Sequence, residues 1–202
     1  MLADLRVRGE HSSRTMVHLL DIKHAHRALL GPARLRRYAD ALAAQGCPLE
    51  GLWGFIDGTV RTTSRPVRQQ REYYSGHKRH HGHKYQIVIA PDGIMWACEP
   101  VSPRRNDAYL LRDSGLHKWL NSNSFDQHGR GLHIYGDKVY AAHGHIVVPH
   151  KGLFISRDQE RFNLQLSRFR IAVEWAIGGV PTLFPRLDVK RSQRMLLSDL
   201  LS

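Results

Sequence analysis

Only two cysteines occur in the 202 residues, Cys47 and Cys98, and they do not form a Cys-x-x-Cys pair. That excludes a disulfide framework and fits a reducing compartment. No stretch approaches the roughly 20 apolar residues needed to span a bilayer. The opening MLADLRVRGEHSSRT alternates charged and apolar residues and has no apolar segment of the secretory-signal type. Internal repeats, low-complexity tracts and long linkers are also missing. Acids are scarce: 18 Asp and Glu stand against 30 Lys and Arg, a formal charge of +12 with histidine neutral. Such an excess favours a polyanionic partner, bound through counterion release and therefore sensitive to salt. The length suffices for one good-sized core. The expectation is a soluble intracellular protein, nuclear if the polyanion is DNA, without a membrane partner.

What is present reads as alternating strands and helices. Residues 1–50 contain TMVHLLDIKHAHRALLG and PARLRRYADALAAQG, each rich in helix formers and closed by a glycine. They predict a short helical lead-in, with Leu35, Tyr38, Leu42 and Ala43 on one face and Arg34, Arg36 and Arg37 beside it. LWGFID then reads as a buried strand that stops at Asp57, followed by Gly58. A polar, basic segment, RPVRQQREYYSGHKRHHGHK, leads to two β-rich runs joined at Pro91, Asp92 and Gly93, a hairpin signal. SPRRNDAYLLRDSGLHKWL predicts a helix capped by Ser102 or Asn106 and broken near Ser114 and Gly115.

GLHIYGDKVY gives a short strand ending in Asp137, and GHIVVPHKG a further one. A helix follows over DQERFNLQLSRFRIAVEWAIGG, with Phe162, Leu166, Phe169, Val173 and Ile177 on one face and an end at Gly178 and Gly179. Glu174 sits at the margin of that stripe, beside Trp175, which reads as core packing. Residues 181–202 form an amphipathic, leucine-rich tail. An antiparallel hairpin followed by helical crossovers predicts a mixed α/β sheet flanked by helices. The first and fourth strands can then lie side by side and bring Asp57, Asp137 and Glu174 together.

Each of these acids alone is an ordinary turn or helix-surface residue. Together they repel unless they share a proton or a cation, and a divalent metal resolves the conflict. Hard oxygen donors select Mg²⁺ or Mn²⁺, and two such ions roughly 3.5–4 Å apart support in-line phosphoryl displacement. The histidines His77, His80, His81 and His83 are spaced closely enough to share zinc. Yet no cysteine pair is near, and Lys78, Arg79 and Lys84 oppose a second cation. A DNA-backbone contact, with Tyr73 and Tyr74 stacking or packing, and a solvated basic loop both remain open. Asp107 reads as the acid of a helix N-terminus rather than an extra acid near the metals. His143 and His145 read as satisfied surface or core histidines.

The blocks GFIDGT, YYSGHKRHHGHKYQIVIAPDG, IYGDKVY and SRFRIAVEWAIGG resemble, in order, those of the DDE endonuclease domain of Harbinger-type transposases, from about Tyr38 to about Leu187. The resemblance implies a ribonuclease H-like fold over a domain at residues 51–180. It also implies a divalent-metal site at the catalytic acids Asp57, Asp137 and Glu174, and DNA cleavage that leaves a 3′-hydroxyl. Arg65, Arg68, Arg71, Lys78, Arg79, Lys84, Arg104 and Arg105 are the candidate DNA contacts. Residues 1–50 would be the remnant of a DNA-binding region, and a homo-oligomer or a separate DNA-binding protein a partner. The rival expectation is an inactive or truncated transposon-derived remnant that binds DNA or protein without cutting. The chain has SPRRNDAY where the family tends to have Gly-Arg-Arg, and Lys138 where it often has Pro or Ser.

Overall fold

The computed structural model describes residues 20–21, 30–76, 78–98, 100–140 and 142–183, and side chains from Leu30 to Ile171 within them. The elements are β1 (Leu20–Asp21), α1 (Pro32–Ala43), β2 (Leu52–Thr62), α2 (Gln70–Tyr73), β3 (Tyr74–Ser75) and β4 (His80–Ile89). They continue with β5 (Met95–Ala97), α3 (Asp107–Asp113), α4 (Leu116–Asn123), β6 (His133–Tyr135), β7 (Ile146–Val147) and α5 (Arg157–Leu183). Among the described residues the sheet runs β1-β5-β4-β2-β6-β7, with β3 paired to β4. β2, β4 and β5 are successively antiparallel, whereas β2, β6 and β7 are parallel. Parallel neighbours need crossover connections, and α3 and α4 lie between β5 and β6. This mixed sheet flanked by helices has the ribonuclease H-like arrangement that the resemblance implies.

The two faces carry separate cores. On one, Trp53, Ile56, Val88 and Trp96 pack with Leu35 and Tyr38 of α1 and with Leu111, Leu116 and Leu120 of α3 and α4. On the other, Phe55, Ile87, Ile89 and Tyr135 pack with Leu166 of α5, flanked by Phe162 and Phe169. Val173 and Ile177, expected on the same helical stripe, have side chains outside the described residues. On α1, Leu35, Tyr38 and Leu42 are buried as expected, but Ala43 is exposed. Tyr38 ties α1 to the β4–β5 turn, its hydroxyl donating to Asp92 Oδ2 at 2.5 Å and accepting from Arg34 Nε at 2.7 Å.

Several boundaries differ from the sequence reading. β2 does not stop at Asp57 but continues to Thr62, because Asp57 to Thr62 pair with Ile87 to Gly82 of a β4 that begins at His80. What ends at Asp57 is full burial, not the strand. Leu20 and Asp21, expected in a helix, pair in parallel with Trp96 and Ala97, where the otherwise open edge of β5 offers backbone partners. The cap of α3 is Asn106, whose side chain accepts from the Tyr109 amide at 2.8 Å; Ser102 instead donates to the Glu72 carbonyl at 2.6 Å. α5 runs through Gly178 and Gly179 to Leu183, since a helical glycine costs only about 1 kcal/mol and does not forbid the helix.

Four histidines gather beside β6 and β7. His117 stacks on His143 with centroids 4.4 Å apart, and His145 lies 5.9 Å from His133 while its Nδ1 contacts the Leu132 carbonyl at 2.7 Å. Burial, then His143 and His145, holds His117 below the usual histidine range, and burial, then His145, does the same to His133. A histidine with a depressed folded pKa takes up its proton more readily in the unfolded chain. Stability is therefore present above the usual value of 6.5 and falls as pH drops from there toward the folded values. Thermal unfolding is expected to show a lower midpoint at pH 5.5 than at pH 7.5, and His133→Gln should narrow the gap.

Candidate active site

Strand register brings the first two acids together. Phe55 of β2 pairs with Tyr135 of β6 in parallel, and two residues further along each chain stand Asp57 and Asp137. Side chains two apart in a strand share a sheet face, which puts Asp57 on the face of Phe55; the Phe55 and Tyr135 rings meet there edge to face at 6.5 Å. Asp137, just past β6, reaches the same side through the cation it shares with Asp57. Chain direction changes immediately afterwards: the Tyr140 amide donates to the Asp137 carbonyl at 2.9 Å, and the Lys138 amide donates to its carboxylate.

α5 crosses this face and supplies a cation that the sequence reading did not single out. Arg170 Nη2 lies 3.4 Å from Asp57 Oδ1, and Nη1 lies 3.3 Å from Asp137 Oδ1. Arg170 and Asp57 have side chains each 23% exposed, and that of Asp137 is 40% exposed. The sequence signal for Arg170 was its place: next to Phe169 on the packed helix and one turn before Glu174. Glu174 lies in α5, but its side chain falls outside the described residues. Beneath the pair, burial pushes the Tyr135 phenol up to about 12, with Arg170 opposing and Asp137 adding. Tyr135 therefore stays protonated at neutral pH.

These residues suit a cation. Two carboxylates converge on one positive group, and carboxylate oxygens are the donors that Mg²⁺ and Mn²⁺ prefer. Among the described residues no group of three or more His, Cys, Asp or Glu is arranged to hold a metal ion. Asp57 and Asp137 are thus a pair that requires a further donor.

Asp107 approaches from the opposite face. It opens α3, pairs with Lys84 Nζ at 3.0 Å, and lies so close over Gly58 that a Cβ there would sit 1.9 Å from its Oδ1. Gly58 is therefore a mid-strand glycine over which the Asp107 carboxylate rests, not the turn glycine that Asp-Gly suggests. Gly58→Ala is expected to destabilise the protein by about 1–3 kcal/mol through overpacking, read as a lower denaturant midpoint at unchanged m-value. Burial raises Tyr140, and Asp107 and Asp57 add to the shift. The two acids thus share this tyrosine's field.

Of the candidate DNA contacts, Arg65, Arg68, Arg71, Lys78, Arg79, Arg104 and Arg105 are exposed. Arg105 stacks over the Tyr109 ring at 4.5 Å. Arg65 donates to Gln70 Oε1 at 2.7 Å, and Lys84, only 12% exposed, is engaged with Asp107 and the Arg105 carbonyl. His80, His81 and His83 lie in β4 rather than in a loop; His77 is outside the described residues. The rings of His81 and His83 meet Tyr74 and Tyr73 edge-on at 5.2 and 5.0 Å. These tyrosines pack on the hairpin.

Among the described residues no helix is long and apolar enough to cross a membrane. A family model described as DDE superfamily endonuclease matches residues 56–199, well over half of the chain. No curated protein and no solved structure matches it.

Proposed function

Because the chain belongs to the DDE superfamily of endonucleases, we propose that it is a transposase-type nuclease that cleaves DNA by a two-metal mechanism. Asp57, Asp137 and Glu174 would hold the ions. Bound there, Mg²⁺ or Mn²⁺ would supply activation of a water and neutralisation of the leaving 3′-oxygen in an in-line displacement. The observation that carries this reading is the convergence of Asp57 and Asp137 from adjacent parallel strands onto one cation.

The protein's own contribution is position and charge. Asp57 is held within β2, Asp137 follows directly on β6, and Arg170 contacts both, which keeps them together before any ion arrives. Arg68, Arg71, Lys78, Arg79, Arg104 and Arg105 engage the phosphate backbone, with Arg65 and Lys84 supporting that surface. Such contacts position DNA without reading its sequence. The site is expected to work in the nucleus, on DNA, either as a homo-oligomer or beside a separate DNA-binding protein.

Nicking of supercoiled plasmid tests the proposal. The intact chain is expected to convert plasmid to open circles with Mn²⁺ or Mg²⁺ and to leave it supercoiled in EDTA. Metal-insensitive association with a steep salt dependence and no nicking would instead identify a domain that binds without cutting.

A further inference from the structure

The position of Arg170 carries a consequence for metal binding. Its guanidinium reaches both carboxylates, one nitrogen toward each, at 3.3 and 3.4 Å. Any ion ligated by both Oδ1 atoms would need that same space. Direct ligation of Mg²⁺ by oxygen takes about 2.0–2.1 Å, so ion and guanidinium would be pressed together with like charge. They are alternatives.

The contacts are also of the kind that can be exchanged. Strong charge-assisted N–H···O bonds measure about 2.7–2.9 Å, shorter than the contact Arg170 makes with either of these acids. The helix backbone is fixed by Leu166, fully buried, and by the packed rings of Phe162 and Phe169. Beyond its Cα, however, Arg170 is a long side chain with 23% exposure, able to withdraw without moving α5.

We propose that Arg170 is a built-in competitor for the metal: its guanidinium neutralises Asp57 and Asp137 in the metal-free protein and leaves them when a divalent cation binds. This rests on the reading of Asp57 and Asp137 as metal ligands. Arg170 then acts as a positioning residue, holding the two acids at working separation before loading and lowering the site's affinity for metal. Once displaced, its charge is available to the DNA phosphate that arrives with substrate.

Mn²⁺ titration of the intact chain, by calorimetry and by the electron paramagnetic resonance of free Mn²⁺, separates the possibilities. Arg170→Gln is expected to bind Mn²⁺ about tenfold more tightly than the unmodified protein, equivalent to about 1.4 kcal/mol. In EDTA the same variant should melt at a lower temperature, and saturating Mn²⁺ should remove the difference. Unchanged or weaker Mn²⁺ binding by Arg170→Gln would overturn the proposal, leaving Arg170 as a structural ion pair. If that variant does not fold, Arg170→Lys keeps the charge but cannot span both acids. Its Mn²⁺ affinity is expected to rise severalfold, and an unchanged value would again overturn the proposal. Asp137→Asn tests the underlying reading separately: it should lose Mn²⁺ binding, and retained binding would show that Asp137 is no ligand and overturn both.

Discussion

Asp57→Ala, incubated with supercoiled plasmid and Mn²⁺, should leave the DNA largely supercoiled, with nicking reduced on the order of 10²–10³-fold, the scale on which loss of one electrostatic group in a preorganised site acts. Its effect should fall on cutting and not on DNA affinity, with only a small loss of stability from the broken, partly exposed contact to Arg170. Asp57 stands where full burial along β2 ends, so truncation opens no cavity in either core. The exposed arginines and lysines that would hold DNA are untouched. Comparison of melting temperature and plasmid retention for the two proteins separates lost chemistry from lost structure. Undiminished, metal-dependent nicking by the variant would remove Asp57 from the mechanism.

Trp53→Ala should produce the largest loss of stability. Trp53 is fully buried, lies with its ring centroid 6.4 Å from those of Trp96 and Trp119, and donates from Nε1 to Ser124 Oγ at 2.9 Å. Ser124 in turn donates to the Leu132 carbonyl at 2.8 Å, which links β2 to the chain entering β6. Truncation of a buried tryptophan costs about 3–5 kcal/mol. At about 2–4 °C per kcal/mol for a chain of this size, the thermal midpoint should fall by roughly 6–20 °C. Trp53→Phe, which keeps most of the volume but removes the indole donor, should cost less. A fall within 2 °C for Trp53→Ala would show that this cluster does not limit stability. Because β2 carries Asp57 and β6 leads into Asp137, the same link fixes the floor of the site.

Much of the fold was legible in local pattern. The Pro91-Asp92-Gly93 hairpin, the break between α3 and α4 near Ser114 and Gly115, the short strands before Asp137 and after His145, and the packed face of α5 all rest on short-range chemistry. Local pattern misled where pairing overrode it. The drop in hydrophobicity after Ile56 resembles a strand end, yet β4 supplies partners as far as Thr62. The polar composition of the histidine segment resembles a loop, yet His80, His81 and His83 are strand residues of that extension. Leu20 and Asp21 sit among helix formers, yet an open sheet edge recruits them.

The site divides along the same line. Sequence alone determined which acids end the apolar runs, that the chain is strongly basic, and that its ordered blocks resemble a nuclease family, because residue identity and spacing suffice for those. Only the tertiary structure decided that the β2–β6 pairing brings Asp57 near Asp137, which follows β6, that Asp107 reaches Gly58 from the other face, and that Arg170 contacts both acids. Those relations depend on strand order, register and helix crossing. Contacts between residues 33 to 113 positions apart set these features, and no local window contains both partners.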